Sequence, residues 1–87
     1  MPTEGAQVTV RYFAAARAAA GTESETVAVR AGATVAELVD VLKARDPGLA
    51  KVLLRCSYLR DGVAVRDMAT ELEGVRTIDV LPPFAGG

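Results

Sequence analysis

Thr77-Ile78-Asp79-Val80-Leu81-Pro82-Pro83-Phe84-Ala85-Gly86-Gly87 is the stretch from which the rest of the 87-residue sequence is read. Its first part is rich in β-branched and leucine side chains and predicts a last strand over Arg76 to Leu81. Pro82 and Pro83 fix φ near polyproline values and lack N–H donors, so they cannot continue a central strand or join a helix. The chain is therefore expected to leave the folded body over residues 82–87 as a stiff, extended stalk. Phe84 and Ala85 give that stalk apolar grip. Gly86 and Gly87 add bare backbone ending in an α-carboxylate, with no Cβ to keep another protein's walls away. A narrow tunnel accepts such an end; the plainer alternative is a frayed terminus.

Working outward, Arg55 to Arg60 reads as a strand. Asp61-Gly62 is the residue pair that suits a type I′ hairpin, and Val63 to Arg66 is expected to pair back. Met68 to Glu73 then reads as a loop or single helical turn, anchored by Met68 and Leu72. Further upstream, Thr34 with Glu37 forms a capping box that opens the main helix. Val35, Leu38, Val39 and Leu42 recur at helical spacing on its apolar face, with Glu37, Asp40 and Lys43 on the wet face. Asp46 precedes Pro47, which ends that helix near Arg45. Gly48 to Leu54 reads as a short second helical segment.

At the start, residues 1–6 have no apolar period and read as a loose leader. Gln7 to Tyr12 alternates, with Val8, Val10 and Tyr12 on one side, as a half-buried strand does. Phe13 to Ala20 is alanine-rich and helical, and Gly21 fits its C′ position. Glu25 to Arg30 gives the second strand. This order predicts an α+β fold of about five strands curled around one main helix, with short extra helical segments, as a single domain over residues 1–87. If the last strand is central, its end is rigidly held and projects the tail at a fixed angle.

Composition narrows the chemistry. The sequence is 51% hydrophobic and 5% aromatic, so its core must be aliphatic. A net charge of −1 with mixed signs provides no basic footprint for nucleic acid. No apolar run approaches a membrane span, and the expectation is a soluble, cytoplasmic protein. Histidine is absent and Cys56 is the only cysteine. The usual general base, the Ser-His and Cys-His pairs and the commonest metal ligand are thus missing. No metal site or bound cofactor is expected. Cys56 reads as a packing residue rather than a persulfide relay, the arginines mostly as solvated sheet-face residues, and Glu71, Glu73 and Asp79 have no metal-site spacing.

That leaves the carboxylate of Gly87 as the candidate reactive group. An α-carboxyl with a pKa of about 3.3–3.7 is ionised at neutral pH and is a poor electrophile. It becomes reactive once converted to a mixed anhydride such as an acyl-adenylate, and sulfur transfer to that carbonyl leaves a thiocarboxylate. Gly86 and Gly87 let successive enzymes approach the carbonyl closely.

The sequence resembles the ubiquitin-like β-grasp sulfur carriers, and its tail Pro82-Pro83-Phe84-Ala85-Gly86-Gly87 resembles that of molybdopterin synthase small subunits (MoaD type). Val8-Thr9-Val10-Arg11-Tyr12-Phe13-Ala14 with Arg17 and Gly21 is similar to that family's first strand and following helix. Ala33-Thr34-Val35-Ala36-Glu37-Leu38 is similar to the opening of its main helix. The resemblance covers roughly residues 7 to 87. It implies adenylation of Gly87 by an ATP-using, ubiquitin-activating-type adenylyltransferase (MoeB type), followed by thiocarboxylation from a sulfur donor protein. It further implies insertion of the tail into a large synthase subunit (MoaE type), where sulfur passes to cyclic pyranopterin monophosphate in molybdenum cofactor biosynthesis. By position it implies Phe13, Val63 and Leu81 as apolar docking residues beside Pro82, Pro83, Phe84 and Ala85. The sequence departs from the family at Glu73-Gly74-Val75-Arg76, where many relatives have an acidic Gly-Asp-Glu turn, and at Arg60-Asp61-Gly62. Both places touch surfaces that choose a partner. Carriers for cysteine or thiamin thiazole synthesis, a protein-conjugating role and a plain interaction module remain alternatives.

Overall fold

The computed structural model describes residues 6–83. The expected alternation of apolar and polar residues appears directly in strand β1 (Ala6–Tyr12), where Val8, Val10 and Tyr12 are buried. It begins at Ala6, which pairs with Val29, so Ala6 belongs to the sheet and not to the leader. Helix α1 (Ala14–Ala20) follows, and Gly21 closes it in the left-handed region at φ 78°, its N–H donating to the Arg17 carbonyl at 2.9 Å. Strand β2 (Ser24–Val29) then returns antiparallel to β1.

Helix α2 (Val35–Arg45) is the main helix. Val35, Leu38, Val39 and Leu42 are its buried residues, as their spacing predicts. Half of the capping box forms: Thr34 Oγ1 accepts from the Glu37 N–H at 3.2 Å. The reciprocal half is replaced, because the Glu37 carboxylate instead takes two hydrogen bonds from Arg30 at 2.8 and 2.7 Å. The first-turn N–H groups of Val35 and Ala36 donate to the carbonyls of Thr70 and Met68, both at 2.9 Å. The irregular segment before the last strand thus serves as a backbone cap for α2, anchored by buried Leu72 and half-buried Met68.

Helix α3 (Pro47–Leu53) starts one residue earlier than the sequence reading, with Pro47 in the first turn and Asp46 as N-cap accepting from Gly48 N–H at 2.7 Å. Strand β3 (Ser57–Arg60) is shorter than predicted. Arg55 and Cys56 lie in the turn leaving α3, their N–H groups donating to Val52 and Leu53 carbonyls. Asp61 and Gly62 have φ of 48° and 87°, the positive pair a type I′ turn requires. Strand β4 (Val63–Ala64) is a two-residue remnant of the predicted Val63–Arg66 run. Strand β5 (Thr77–Leu81) ends the described fold.

The sheet order is β2-β1-β5-β3-β4. β5 runs parallel to β1 and antiparallel to β3, so the last strand is central. The Asp61 carboxylate accepts from the N–H groups of Arg76 and Thr77, pinning the hairpin to the start of β5. One sheet face packs Val8, Val10, Val27, Ile78 and Val80 against α2, with Ala16 of α1 and Leu49 and Leu53 of α3 in the same core. This is the β-grasp arrangement, a five-stranded mixed sheet on one main helix.

Burial decides the expected response to truncation. Leu38→Ala at a fully buried position is expected to lower unfolding free energy in urea by about 2–5 kcal/mol. Val41→Ala on the wet side of the same helix, 41% exposed, stays within about 0.5 kcal/mol of the parent.

Candidate functional site

The sheet has a second face, and strand register determines what it presents. Directly paired residues share a face, so Arg11, Asp79, Leu59 and Ala64 form one row across β1, β5, β3 and β4. Thr26, Thr9 and Thr77 form a neighbouring row, and Leu81 pairs with Ser57 in the row nearest the tail. Gln7, Arg11, Thr26, Ala28 and Ser57 on this side are exposed, so the face is open to solvent. Its last row, Leu81 with Ser57, lies where β5 ends.

Asp79 is the buried charged residue of the described structure, 5% exposed. Arg11 neutralises it with a two-pronged contact, Nε to Oδ1 at 2.6 Å and Nη2 to Oδ2 at 3.0 Å. That hydrogen bond and the adjacent negative charge raise the Arg11 pKa further above its ordinary value, so the guanidinium stays charged. The guanidinium also lies 5.8 Å from the Phe13 ring centroid, within cation–π range. Phe13 continues from the end of β1, its N–H donating to the Val80 carbonyl at 3.2 Å, and its side of the turn is 39% exposed. Ala14 turns the chain into α1 through a left-handed φ of 52°, a conformation an L-residue enters only under constraint. The result is a neutralised ion pair bordered by Phe13, Leu59 and Leu81. Such a surface can be covered by another protein without stranding an unpaired charge.

Of the residues expected at a docking surface, Phe13 and half-buried Leu81 lie on this face. Val63 does not. It pairs with Arg60, and Arg60 pairs with core residue Ile78, so Val63 occupies a row of the helix-side face. It is 62% exposed because β4 is the edge strand, beyond the cover of α2. Pro82 corrects the expected start of the stalk: it is buried, and Pro83 is the first exposed residue after β5. Phe84, Ala85, Gly86 and Gly87 lie outside the described residues.

Leu59 and the Arg11–Asp79 pair were not singled out from the sequence. The available signal was Asp79 itself, a carboxylate in the middle of an apolar strand where Thr77 and Leu81 share its parity. Arg11 carries the same parity on the first strand, but only the parallel β1–β5 pairing reveals that the two meet.

Cys56 is half-buried against the core edge, and its Sγ donates to the Val52 carbonyl at 3.2 Å. Burial pushes its thiol up to about 11, the opposite of what a nucleophilic relay needs. Among the described residues, no group of three or more Cys, Asp or Glu side chains comes together to hold a metal ion, and no helix is long and apolar enough to cross a membrane.

Comparison with known proteins places this geometry. Residues 10–87 match the model of the ThiS family. The molybdopterin synthase sulfur carrier subunit of Chlamydomonas reinhardtii is 30% identical over 82 residues, covering 93% of this chain and 99% of that one. The HVO 2177 protein of Haloferax volcanii superposes with a TM-score of 0.83 at 28% identity, covering 100% of this chain and 92% of the other. A chain in the complex of subunits 1 and 2 of the molybdopterin-converting factor from Helicobacter pylori 26695 superposes with a TM-score of 0.68 at 26% identity, covering 94% and 100%. The fold is ubiquitin-like β-grasp, as its relatives' is.

Two outcomes follow from the site. Arg11→Met removes the partner of a buried carboxylate and is expected to lower the midpoint of chemical denaturation, by less than the loss of a fully buried pair would, because Arg11 is half exposed. The double variant Arg11→Met with Asp79→Leu recovers most of that loss; equal loss in single and double variants contradicts the assignment. For Cys56, the alkylation rate of the folded protein by iodoacetamide should inflect near pH 11, against 9.0 for an unperturbed thiol. The thiolate gains its share only as pH rises through the higher value, so at pH 8 the folded thiol reacts far more slowly than in the unfolded chain.

Proposed function

The chain belongs to the ThiS family, and on that footing we propose that it is a sulfur carrier acting as the small subunit of a molybdopterin synthase. The observation that carries the reading is the family match joined to the position of the tail. The match runs through Gly87, and the tail springs from β5, a central strand held on both sides. The names of the relatives support the molybdopterin assignment, and the Helicobacter pylori complex supports a large-subunit (MoaE-type) partner.

In this reading the protein is a carried substrate and not a catalyst. A MoeB-type activating enzyme joins the Gly87 carboxylate to the α-phosphate of ATP, releasing pyrophosphate and forming an acyl-adenylate. A sulfur donor protein then delivers sulfur to the carbonyl carbon, AMP leaves, and a thiocarboxylate remains. Within the large subunit that sulfur passes to cyclic pyranopterin monophosphate, and the carboxylate is restored. Gly86 and Gly87 admit close approach at each step, since a Cβ at either position would meet the tunnel wall. Pro82 and Pro83 set the reach. Phe13, Leu59 and Leu81 around the neutralised Arg11–Asp79 pair supply the face that docks against the large subunit, with Val63 at the sheet's edge as a peripheral contact.

The expected result is direct. Incubated with its activating enzyme, ATP and a sulfur source, the protein should gain the mass of one oxygen replaced by sulfur, located at Gly87 by fragmentation. Deletion of Gly87 should abolish both the gain and sulfur delivery to the pyranopterin. A deletion variant that retains both sinks the reading. Carriers for thiazole or cysteine synthesis share the activation chemistry, so the acceptor that consumes the thiocarboxylate decides among them.

A further inference from the structure

Lys51 stands in the last turn of α3 and lines a groove of about 250 Å³ together with Pro82 and Pro83, from which the tail continues. We propose that Lys51 is the acyl acceptor for the chain's own activated end, which closes onto the body as an isopeptide between Lys51 Nζ and the Gly87 carbonyl. The inference deepens the carrier reading and rests on it for the activation step.

The first observation is how few amines the sequence holds. Its ten basic residues are eight arginines and two lysines, Lys43 and Lys51. A guanidinium stays protonated in proteins, whereas a lysine amine that loses its proton attacks an acyl carbon. Lys43 lines a different pocket, to which neither proline contributes. The first five residues join the fold at Ala6, at the far end of the parallel β1–β5 pair from Pro82. Lys51 is therefore the amine that the fold sets beside the start of the tail. It is exposed, and among the described residues no carboxylate bridges to it.

The second observation is reach. Four residues follow Pro83, and fully extended they span at most about 13–14 Å. Closing on Lys51 requires a reversal of the chain, and Gly86 and Gly87 accept the backbone angles a reversal needs. The groove lining includes Ala15 and Val52, small apolar side chains that leave room for a returning backbone. A tether this short holds the two groups at an effective concentration of roughly millimolar order.

The step needs no further reactant. The Nζ lone pair adds to the carbonyl carbon of the Gly87 acyl-adenylate and forms the C–N bond. The C–O bond to the phosphate breaks, AMP leaves with its electron pair, and the amine's proton passes to solvent. It belongs to adenylate that has left the activating enzyme, since a tail held in a tunnel cannot turn back. The closed chain has no terminal carboxylate left to activate. Closure thus competes with sulfur delivery and withdraws a tail that was activated without a donor.

The full chain prepared with Gly87 as a C-terminal thioester tests the geometry without any enzyme. The wild type is expected to lose its thiol at a rate independent of protein concentration. The product should be one water lighter than the hydrolysed chain, with peptide mapping joining Lys51 to Gly87. Lys51→Arg should slow closure about tenfold or more and leave hydrolysis, with circular dichroism and Tm unchanged, while Lys43→Arg closes as the wild type does. Hydrolysis alone, closure onto Lys43 or the Met1 amine, or a rate proportional to protein concentration overturns the proposal. With the activating enzyme and ATP but no sulfur donor, the same closed chain should accumulate, and added donor should suppress it. An enzyme that forms no adenylate on a chain whose thioester closes overturns the carrier reading and leaves the Lys51 assignment standing.

Discussion

Everything in the structure depends on β5 being hydrogen-bonded along both edges. A parallel neighbour on one side and an antiparallel neighbour on the other leave no free edge, so the strand cannot shift register without breaking two ladders. Ile78 and Val80 are fully buried beneath the main helix, which fixes which face each residue presents. Asp61 clamps the beginning of the strand through the Arg76 and Thr77 amides, and buried Pro82 closes its end. The position of Pro82 and Pro83 at the end of the strand is thereby inherited from the core. For a proposed carrier, whose reactive group is handed to other proteins, this is the property the fold must supply.

Charge is arranged around the same strand. The alternation that sends Ile78 and Val80 inward sends Asp79 outward, where Arg11 of the neighbouring strand neutralises it. On the helix side Lys51 and Arg55 line a small groove beside Pro82 and Pro83. The end of β5 thus lies beside a mostly polar sheet face that carries a neutralised pair with a few apolar side chains around it. Tyr12, Glu25 and Arg45 form a separate network, with the Tyr12 hydroxyl donating to Glu25 at 2.6 Å and Arg45 pairing with the same carboxylate. That network ties β1, β2 and the end of α2 together and supports the frame rather than the tail.

Much of this was legible in the residues. The strands with strict alternation, the main helix with its four buried positions, and the Asp61-Gly62 hairpin are local patterns, and local patterns appear in a single sequence. The central place of β5 is a long-range fact that the sequence could only pose as a condition. The short β4 and the late start of β3 are not legible in the sequence, because the turn after α3 and the hairpin edge are held by a few backbone bonds, to which side-chain pattern is blind. Resemblance groups Val63 with Phe13 and Leu81, whereas its pairing with Arg60 sets it on the opposite face of the sheet. Arg11 and Asp79 are each visible in the sequence, but an ion pair across 68 residues exists only after the sheet has formed. The tail beyond Pro83 lies outside the described residues, and its proposed chemistry rests on residue type and on the family resemblance.

Native-state hydrogen exchange along β5 tests the central claim most directly. If the strand is the fixed base from which the tail departs, the Ile78 and Val80 amides should exchange only through global unfolding, with free energies matching the stability measured by denaturation. Exchange of these amides through a local opening several kcal/mol cheaper than global unfolding, while those of β1 remain protected, would contradict it.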